Sequence, residues 1–191
     1  MSSRFKPRMD ILPPAQRQLW HELGPAAVLG FVLYGGTAIA LRLGHRASVD
    51  FDFFSERPLD RESIREVFPF MAQSIVLQDE RNALSVLVPC VDAERTHIKV
   101  SFFGTIGFGR VREPQMTEDG VLRVASLDDL MATKVKVVLQ RAEAKDYRDI
   151  ADFPWYGEVK KQAMQTKKSW SVPAFPDSPS DSVAEVAGGE D

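Results

Sequence analysis

The stretch GGTAIALRLGHRASVDFDFF, residues 35–54, decides the fold of this chain. Just upstream, the apolar residues 31–34 predict a short strand that enters a tight turn at Gly35 and Gly36. The residues that follow, 37–43, suit a short helix with a glycine at its end. The stretch therefore predicts a strand, a glycine turn and a helix, followed by the alternating sequence SVDFDFF.

Two aspartates alternate with apolar residues in this last segment, residues 48–54. Successive strand residues point to opposite faces, so Val49 and the phenylalanines share one face and Asp50 and Asp52 the other. Their Cα atoms are then about 6–7 Å apart, which lets the carboxylates share two metal ions about 3.5–4 Å apart. Mg²⁺ or Mn²⁺ would suit such oxygen ligands. The alternative is a half-exposed strand with ordinary solvated aspartates.

The glycine pair would suit a phosphate group beside this metal site. Glycine lets the backbone approach a phosphate closely, and the helix start that follows presents free N–H groups. Thr37 can add a hydroxyl. The alternative for Gly35 and Gly36 is a simple tight turn.

Composition limits the classes of protein that this chain can represent. Of its 191 residues, 44% are hydrophobic and 27% are charged, as in an ordinary globular protein. A formal charge of −3 does not suggest bulk electrostatic binding to nucleic acid. A single cysteine, Cys90, excludes an intrachain disulfide and disfavours a zinc cluster. Without an apolar run of membrane-spanning length or a signal peptide, the expectation is a cytoplasmic protein without membrane contact.

The rest of the sequence predicts one mixed α/β domain at residues 15–153, between a polar N-terminal arm at 1–14 and an irregular, disordered tail at 154–191. Ser126 begins the strongest helix signal, a capping-box-like S-x-x-D followed by a long helical run through residue 153. Further helices are expected at 15–23 and 58–68, strands at 74–78, 83–88 and 97–103, and loops at 79–82 and 104–120.

Residues 35–54 resemble the nucleotidyltransferase motif of the AbiEii/AbiGii toxin family, whose members have the DNA polymerase beta-like nucleotidyltransferase fold. The resemblance implies a mixed sheet flanked by helices. It also implies that Asp50 and Asp52 hold the metal and are catalytic. The residues that would bind the nucleotide are Gly35, Gly36, Thr37, Arg46 and Ser48. From its position alone, Arg46 could instead pair with Asp50.

A second block resembles the same family, in which a lysine-bearing helix precedes an R-x-x-x-K-D-x-x-D-like segment. Lys134 and Lys145 lie 11 residues apart, which returns to nearly the same face of a helix, and Lys145 and Asp149 form an i, i+4 pair. The resemblance implies that both lysines contact nucleotide phosphates, while Asp146 or Asp149 orients them or assists catalysis. The alternative is a solvated, salt-bridged helix face.

The sequence departs from the family pattern at two places. Nucleotidyltransferases of this fold carry a third carboxylate on a strand beside the D-x-D strand, but residues 98–103 place Lys99 and Ser101 on that face. Either Asp146 or Asp92 supplies the missing acid, or the site binds one metal, or the chemistry is impaired. Family members also continue into further C-terminal helices, which implies a truncated helical part here.

The resulting prediction is a Mg²⁺-dependent transfer of a nucleoside monophosphate from an NTP to an acceptor, with RNA or a tRNA end implied by the resemblance. The same resemblance implies a toxin held in check by a cognate antitoxin protein. An alternative is a non-catalytic or truncated descendant that binds nucleotide or RNA. A metal-dependent phosphohydrolase is a third possibility, which would release phosphate instead of pyrophosphate.

Overall fold

The computed structural model of the chain describes residues 3–90, 96–105, 107, 109–140 and 144–153. The strands in these residues are β1 (Arg4–Phe5), β2 (Val32–Tyr34), β3 (Phe51–Phe54), β4 (Ile75–Glu80), β5 (Ala83–Pro89), β6 (His97–Phe103), β7 (Gln115–Thr117) and β8 (Arg123–Val124). The α-helices are α1 (Pro14–Leu19), α2 (Pro25–Val28), α3 (Gly35–Leu43), α4 (Arg61–Val67), α5 (Leu127–Gln140) and α6 (Ala144–Ala151), with short 3-10 turns at Met9–Ile11, Trp20–Leu23 and Pro69–Gln73.

The eight strands of the described residues form one mixed sheet in the order β1-β7-β8-β2-β3-β6-β5-β4. The central strand β3 pairs antiparallel with β2 and parallel with β6. Strands β4, β5 and β6 continue the sheet as antiparallel neighbours. The predicted mixed α/β architecture is confirmed.

The unit β2–α3–β3 forms as the sequence predicts because two glycines frame the helix. Gly35, with φ of +74°, begins α3, and Gly44, with φ of +67°, ends it. Both conformations lie in the left-handed region, which costs glycine little. The amide of Gly44 donates to the carbonyl oxygen of Ala40 at 2.8 Å, as in a glycine-terminated helix.

Aromatic rings build the core beneath the central strands. The Phe102 ring of β6 lies 5.5 Å from that of Phe53 on β3, 5.3 Å from Phe31 and 5.1 Å from Phe68, measured between centroids. All four side chains are buried. The apolar face of β3 is therefore anchored, and its opposite face is held in a defined position.

The N-terminal arm and the loop at 104–120 were predicted as irregular, and both predictions are wrong in part. Residues of the arm form β1, which pairs in parallel with β7 inside the supposed loop. Leu12 is buried, and the guanidinium of Arg42 lies 4.2 Å from the centre of the Phe5 ring. Strands of two or three residues carry too little periodicity to be recognised, and they form here because the existing sheet supplies partners.

The single long helix predicted after Ser126 is also wrong. Its start is confirmed, since the Asp129 amide donates to the Ser126 hydroxyl at 3.1 Å. However, Lys134 contacts Asp149 at 2.8 Å, whereas 15 residues of continuous helix would span about 22 Å. The chain therefore turns back between α5 and α6, and Lys134 and Lys145 occupy different helices.

The predicted tail at 154–191 lies outside the described residues. None of the helices in the described ranges has the length and apolarity that a membrane crossing requires.

Candidate active site

A cleft of about 610 Å³ opens where the β2–α3 turn meets β3, β6, α5 and α6. Its acidic lining residues are Asp50, Asp52 and Asp146. Its basic lining residues are Arg46, Lys99, Lys134, Lys136 and Lys145. Although the chain as a whole is acidic, basic groups outnumber acidic ones among the described residues of this cleft. The cleft therefore suits an anionic ligand.

The glycine pair is required by close contacts inside the site. A Cβ atom on Gly35 would lie 2.7 Å from an Asp52 carboxylate oxygen. A Cβ on Gly36 would lie 2.9 Å from an Arg46 guanidinium nitrogen and 3.0 Å from the Ser48 hydroxyl. The tight turn is thus confirmed, and its glycines make room for three residues of the predicted site.

Thr37 sits beneath the turn and holds the segment that leads into β3. Its buried hydroxyl donates to the carbonyl oxygen of Asp50 and lies 3.0 Å from the Ser48 hydroxyl, which can donate to it. The single Thr37 hydroxyl proton is therefore already used within the protein. This contact positions Asp50, whereas the sequence suggested a phosphate contact for the same hydroxyl.

Asp50 and Asp52 both line the cleft, as the sequence predicts. The predicted strand is too long, however, because β3 begins at Phe51 and Val49 is 54% exposed instead of facing the core. Burial raises the pKa of Asp52, and the neighbouring charge of Asp50 raises it further; Lys99, a hydrogen bond from Ser101, and Lys134 partly oppose this. The two carboxylates repel each other, and a cation bound between them would remove this repulsion.

Ser101 occupies the position where a third carboxylate was expected. It pairs with Asp52 in the parallel β3–β6 register and is fully buried. The Ser85 hydroxyl donates to it at 3.1 Å, and Ser101 itself hydrogen-bonds the Asp52 carboxylate. The sequence-based placement of this strand is confirmed. Asp92, one of the two candidate replacements, lies outside the described residues.

A buried ion-pair cluster, composed of Asp149, His45, Arg46 and Lys134, lies at the edge of the cleft, which Arg46 and Lys134 line. The Asp149 carboxylate accepts from Arg46 Nε at 2.6 Å and Nη2 at 2.9 Å, and from Lys134 Nζ at 2.8 Å. It also lies 2.8 Å from His45 Nε2. Burial alone would raise the pKa of Asp149, but the hydrogen bonds from Arg46, His45 and Lys134 outweigh it and lower the pKa to about 2.

The cluster holds two residues that precede β3. Arg46 pairs with Asp149 and not with Asp50, and it still lines the cleft beside the glycine pair. The His45 side chain is only 5% exposed and reaches Asp149 on α6. No local pattern identifies it, because its partner lies 104 residues away in the sequence.

Asp146 differs from Asp149 in facing the cleft. Its Oδ1 accepts from Lys134 Nζ at 3.0 Å, and its buried Oδ2 has no hydrogen-bond partner within the described part of the chain. Lys145, the next residue towards the N-terminus of α6, is exposed and also lines the cleft. Lys134 is thus held by both aspartates and presented to the cleft in one position.

The oxygen atoms of Asp50 and Asp52 fit a divalent cation that keeps coordination positions for phosphate and water. Within the described ranges, no group of three or more His, Cys, Asp or Glu side chains is arranged to hold a metal ion. The protein therefore offers two carboxylates, and Asp146 does not join them as a third ligand in this arrangement.

A paired-carboxylate strand beside a glycine turn and a helix start, in a mixed sheet with a basic cleft, defines a site of the nucleotidyltransferase class. Comparison with known families agrees with this class. The family model described as nucleotidyl transferase AbiEii toxin, type IV TA system, matches residues 26–153, and the chain belongs to that family.

Individual relatives support the same fold. An uncharacterized protein of Aquifex aeolicus (strain VF5), aq_aa25, is 32% identical over 122 residues, which cover 63% of this chain and 55% of that protein. The chain thus spans about half the length of this relative. JHP933 from Helicobacter pylori matches with a TM-score of 0.57 at 16% identity, covering 80% of this chain and 75% of its own.

MenT4, a nucleotidyltransferase toxin from Mycobacterium tuberculosis H37Rv, matches with a TM-score of 0.53 at 20% identity. The match covers 73% of this chain and 57% of MenT4. At these identities the structural likenesses establish the nucleotidyltransferase fold.

Proposed function

We propose that this protein transfers a nucleoside monophosphate from an NTP to an acceptor hydroxyl and releases pyrophosphate. The observation that carries the proposal is the contact geometry of Gly35 with Asp52, which brings a helix start and a carboxylate pair to one wall of a basic cleft. The acceptor oxygen would bond to the α-phosphorus while the bond from that phosphorus to the pyrophosphate oxygen breaks. The hydroxyl proton would pass to water.

Each wall of the cleft has a separate part in this reaction. The first N–H groups of α3 lack intrahelical partners and would bind phosphate oxygens. Lys134, held by Asp146 and Asp149, would place positive charge against the triphosphate, as would Lys145 from α6. Preorganised positive charge of this kind supplies most of the catalysis in phosphoryl transfer.

Asp50 and Asp52 would hold Mg²⁺ or Mn²⁺, which, when bound, neutralises charge on the phosphate oxygens. Burial and the neighbouring charge of Asp50 raise the pKa of Asp52, which supports this assignment. The Thr37 hydroxyl holds the carbonyl oxygen of Asp50 and contacts the Ser48 hydroxyl, so the chain that carries Asp50 is tied to α3.

RNA is the proposed acceptor, and inhibition of this activity by a cognate antitoxin protein is the proposed biological setting. Membership of a family described as a toxin of a type IV TA system supports the proposed antitoxin. The excess of basic residues at the cleft offers a place for an RNA end to approach the nucleotide.

The test is a labelling assay with purified protein, Mg²⁺, each α-labelled NTP in turn and total RNA. Wild-type protein is expected to label RNA and release pyrophosphate, whereas Asp50→Ala and Asp52→Ala are expected to lose labelling. Asp10→Ala is the matched control, because Asp10 is exposed and pairs with Arg8 away from the cleft. Labelling by both site variants at the wild-type rate would refute the site assignment.

The serine at position 101 favours a second candidate, a non-catalytic protein that binds nucleotide or RNA. Calorimetric titration with NTP and Mg²⁺ separates the two candidates when it is run beside the labelling assay. Binding without labelling of any acceptor would support this second function. Release of phosphate instead of pyrophosphate would indicate a phosphohydrolase.

A further inference from the structure

The strand beside the carboxylates carries a lysine as well as the serine that replaces the third acid. Strands β3 and β6 run parallel, with Phe51 beside Val100 and Asp52 beside Ser101. Lys99 comes one residue before Val100 on β6, and Asp50 comes one residue before Phe51, the first residue of β3. Lys99 lies two residues before Ser101 on the same face of β6, and it lines the cleft together with both aspartates.

The charge at this face differs from that of a site built on three carboxylates. Three acids carry −3 against two divalent ions, whereas this face carries two carboxylates and one ammonium group. A single divalent cation balances the charge of the two aspartates. A second cation at this face would be repelled by the Lys99 ammonium, and the face has no third carboxylate to neutralise it.

The other acidic groups at or near the cleft are paired with basic groups of the protein. Asp146 accepts a hydrogen bond from Lys134 at its Oδ1, and the described residues contain no group of three or more acids or other ligand side chains arranged to hold a metal ion. Asp149 is enclosed by Arg46, His45 and Lys134. Each of these acids is thus paired with a cation of the protein.

We propose that this site holds one divalent cation, on Asp50 and Asp52, and that the Lys99 ammonium takes the place of the second cation. The inference rests on the proposed nucleotide-binding function of the cleft. Lys99 would lie against the phosphate or acceptor oxygen that a second ion would otherwise contact.

The test counts Mn²⁺ ions by electron paramagnetic resonance, in a complex of the full chain with a non-hydrolysable NTP analogue. Wild-type protein is expected to hold one Mn²⁺ per complex and to show no spin coupling between ions. The double variant Lys99→Met, Ser101→Asp restores the third carboxylate and removes the ammonium, so it is expected to bind two coupled ions. Two coupled ions in the wild type would overturn the proposal.

A second measurement separates this role of Lys99 from a structural one. Without nucleotide, Lys99→Met is expected to raise the affinity for Mn²⁺ by about tenfold, because a positive charge in the same cleft as the ion is removed. A variant that merely damaged the site would lower that affinity. Labelling of RNA by the same variant is expected to fall, and Lys99→Arg is expected to keep more of it.

Lys6→Met is the matched control, because Lys6 is exposed and does not line the cleft. An unchanged or weaker Mn²⁺ affinity in Lys99→Met, with the fold intact by circular dichroism, would refute the role of Lys99. Failure of the wild type to bind Mn²⁺ at all would refute the single-ion site. Binding of one Mn²⁺ without RNA labelling would instead contradict the proposed activity and leave the ion count standing.

Discussion

Replacement of Asp149 by asparagine tests whether the buried ion-pair cluster organises the site. The substitution keeps the shape of the side chain and removes the negative charge that faces Arg46 and Lys134. The Asp149 side chain is fully buried, so water cannot reach its position and compensate for the lost negative charge. The variant is expected to fold less stably and to present Lys134 to the cleft less firmly.

The expected loss of stability follows from the pKa of Asp149. Lowering it from the ordinary value of 3.8 to about 2 corresponds to roughly 2 kcal/mol of stabilisation by the charged form. Because the folded-state pKa is depressed, this stabilisation is complete well above pH 4 and is lost as the pH falls through about 2. At pH 3 about half of it should remain. Removing one partner of a buried ion pair can cost more, about 3–5 kcal/mol, because unpaired charges are left behind.

The assay is urea unfolding of wild type and Asp149→Asn at pH 7 and pH 3. The variant is expected to be less stable by at least about 2 kcal/mol at pH 7, with the difference smaller by about 1 kcal/mol at pH 3. Asp10→Asn, at an exposed pair with Arg8, should leave stability almost unchanged. A pH-independent difference, or a loss at pH 7 as small as that of Asp10→Asn, would refute this reasoning.

Three further substitutions test particular contacts. Gly35→Ala places a Cβ 2.7 Å from the Asp52 carboxylate, so Mn²⁺ binding should weaken at least tenfold while circular dichroism stays native; unchanged binding would contradict this. Gly104→Ala places a Cβ 2.6 Å from the Leu59 amide nitrogen, so urea unfolding should show a loss of roughly 2 kcal/mol or more, and a stable variant would disprove the close approach. Arg42→Met removes the hydrogen bonds from the guanidinium to the carbonyl oxygens of Ala125 and Val124 and to the Gln115 side chain. The free energy of unfolding, measured with urea or by thermal unfolding, should fall by about 2–4 kcal/mol. An unchanged stability would show that water replaces the guanidinium.

The segment from Gly35 to Asp52 was predictable because its signals are local. A glycine pair that permits positive φ, a helical run ended by Gly44, and a period-2 alternation each depend on residues close in the sequence. The structure confirms these elements, except that β3 begins at Phe51 and is shorter than predicted. The same locality explains the correct placement of Ser101, since β6 is a strongly apolar strand with a clear alternation.

The residues of the second block were predictable in identity but not in arrangement. The spacing of Lys134 and Lys145 matched one continuous helix, and the structure places them on α5 and α6. Helical periodicity predicts that two residues share a face only when both belong to one uninterrupted helix. The contact of Lys134 with Asp149 depends on the chain turning back, which the pattern of charges did not reveal.

The sequence by itself determined the β2–α3–β3 unit, the carboxylate pair and the absence of an acid at position 101, because backbone sterics and strand alternation act between near neighbours. Only the tertiary structure decided that Arg46 and His45 bind Asp149. These contacts join residues up to 104 positions apart. Their energy comes from burying opposite charges together, and burial is a property of the packed fold and not of any one segment.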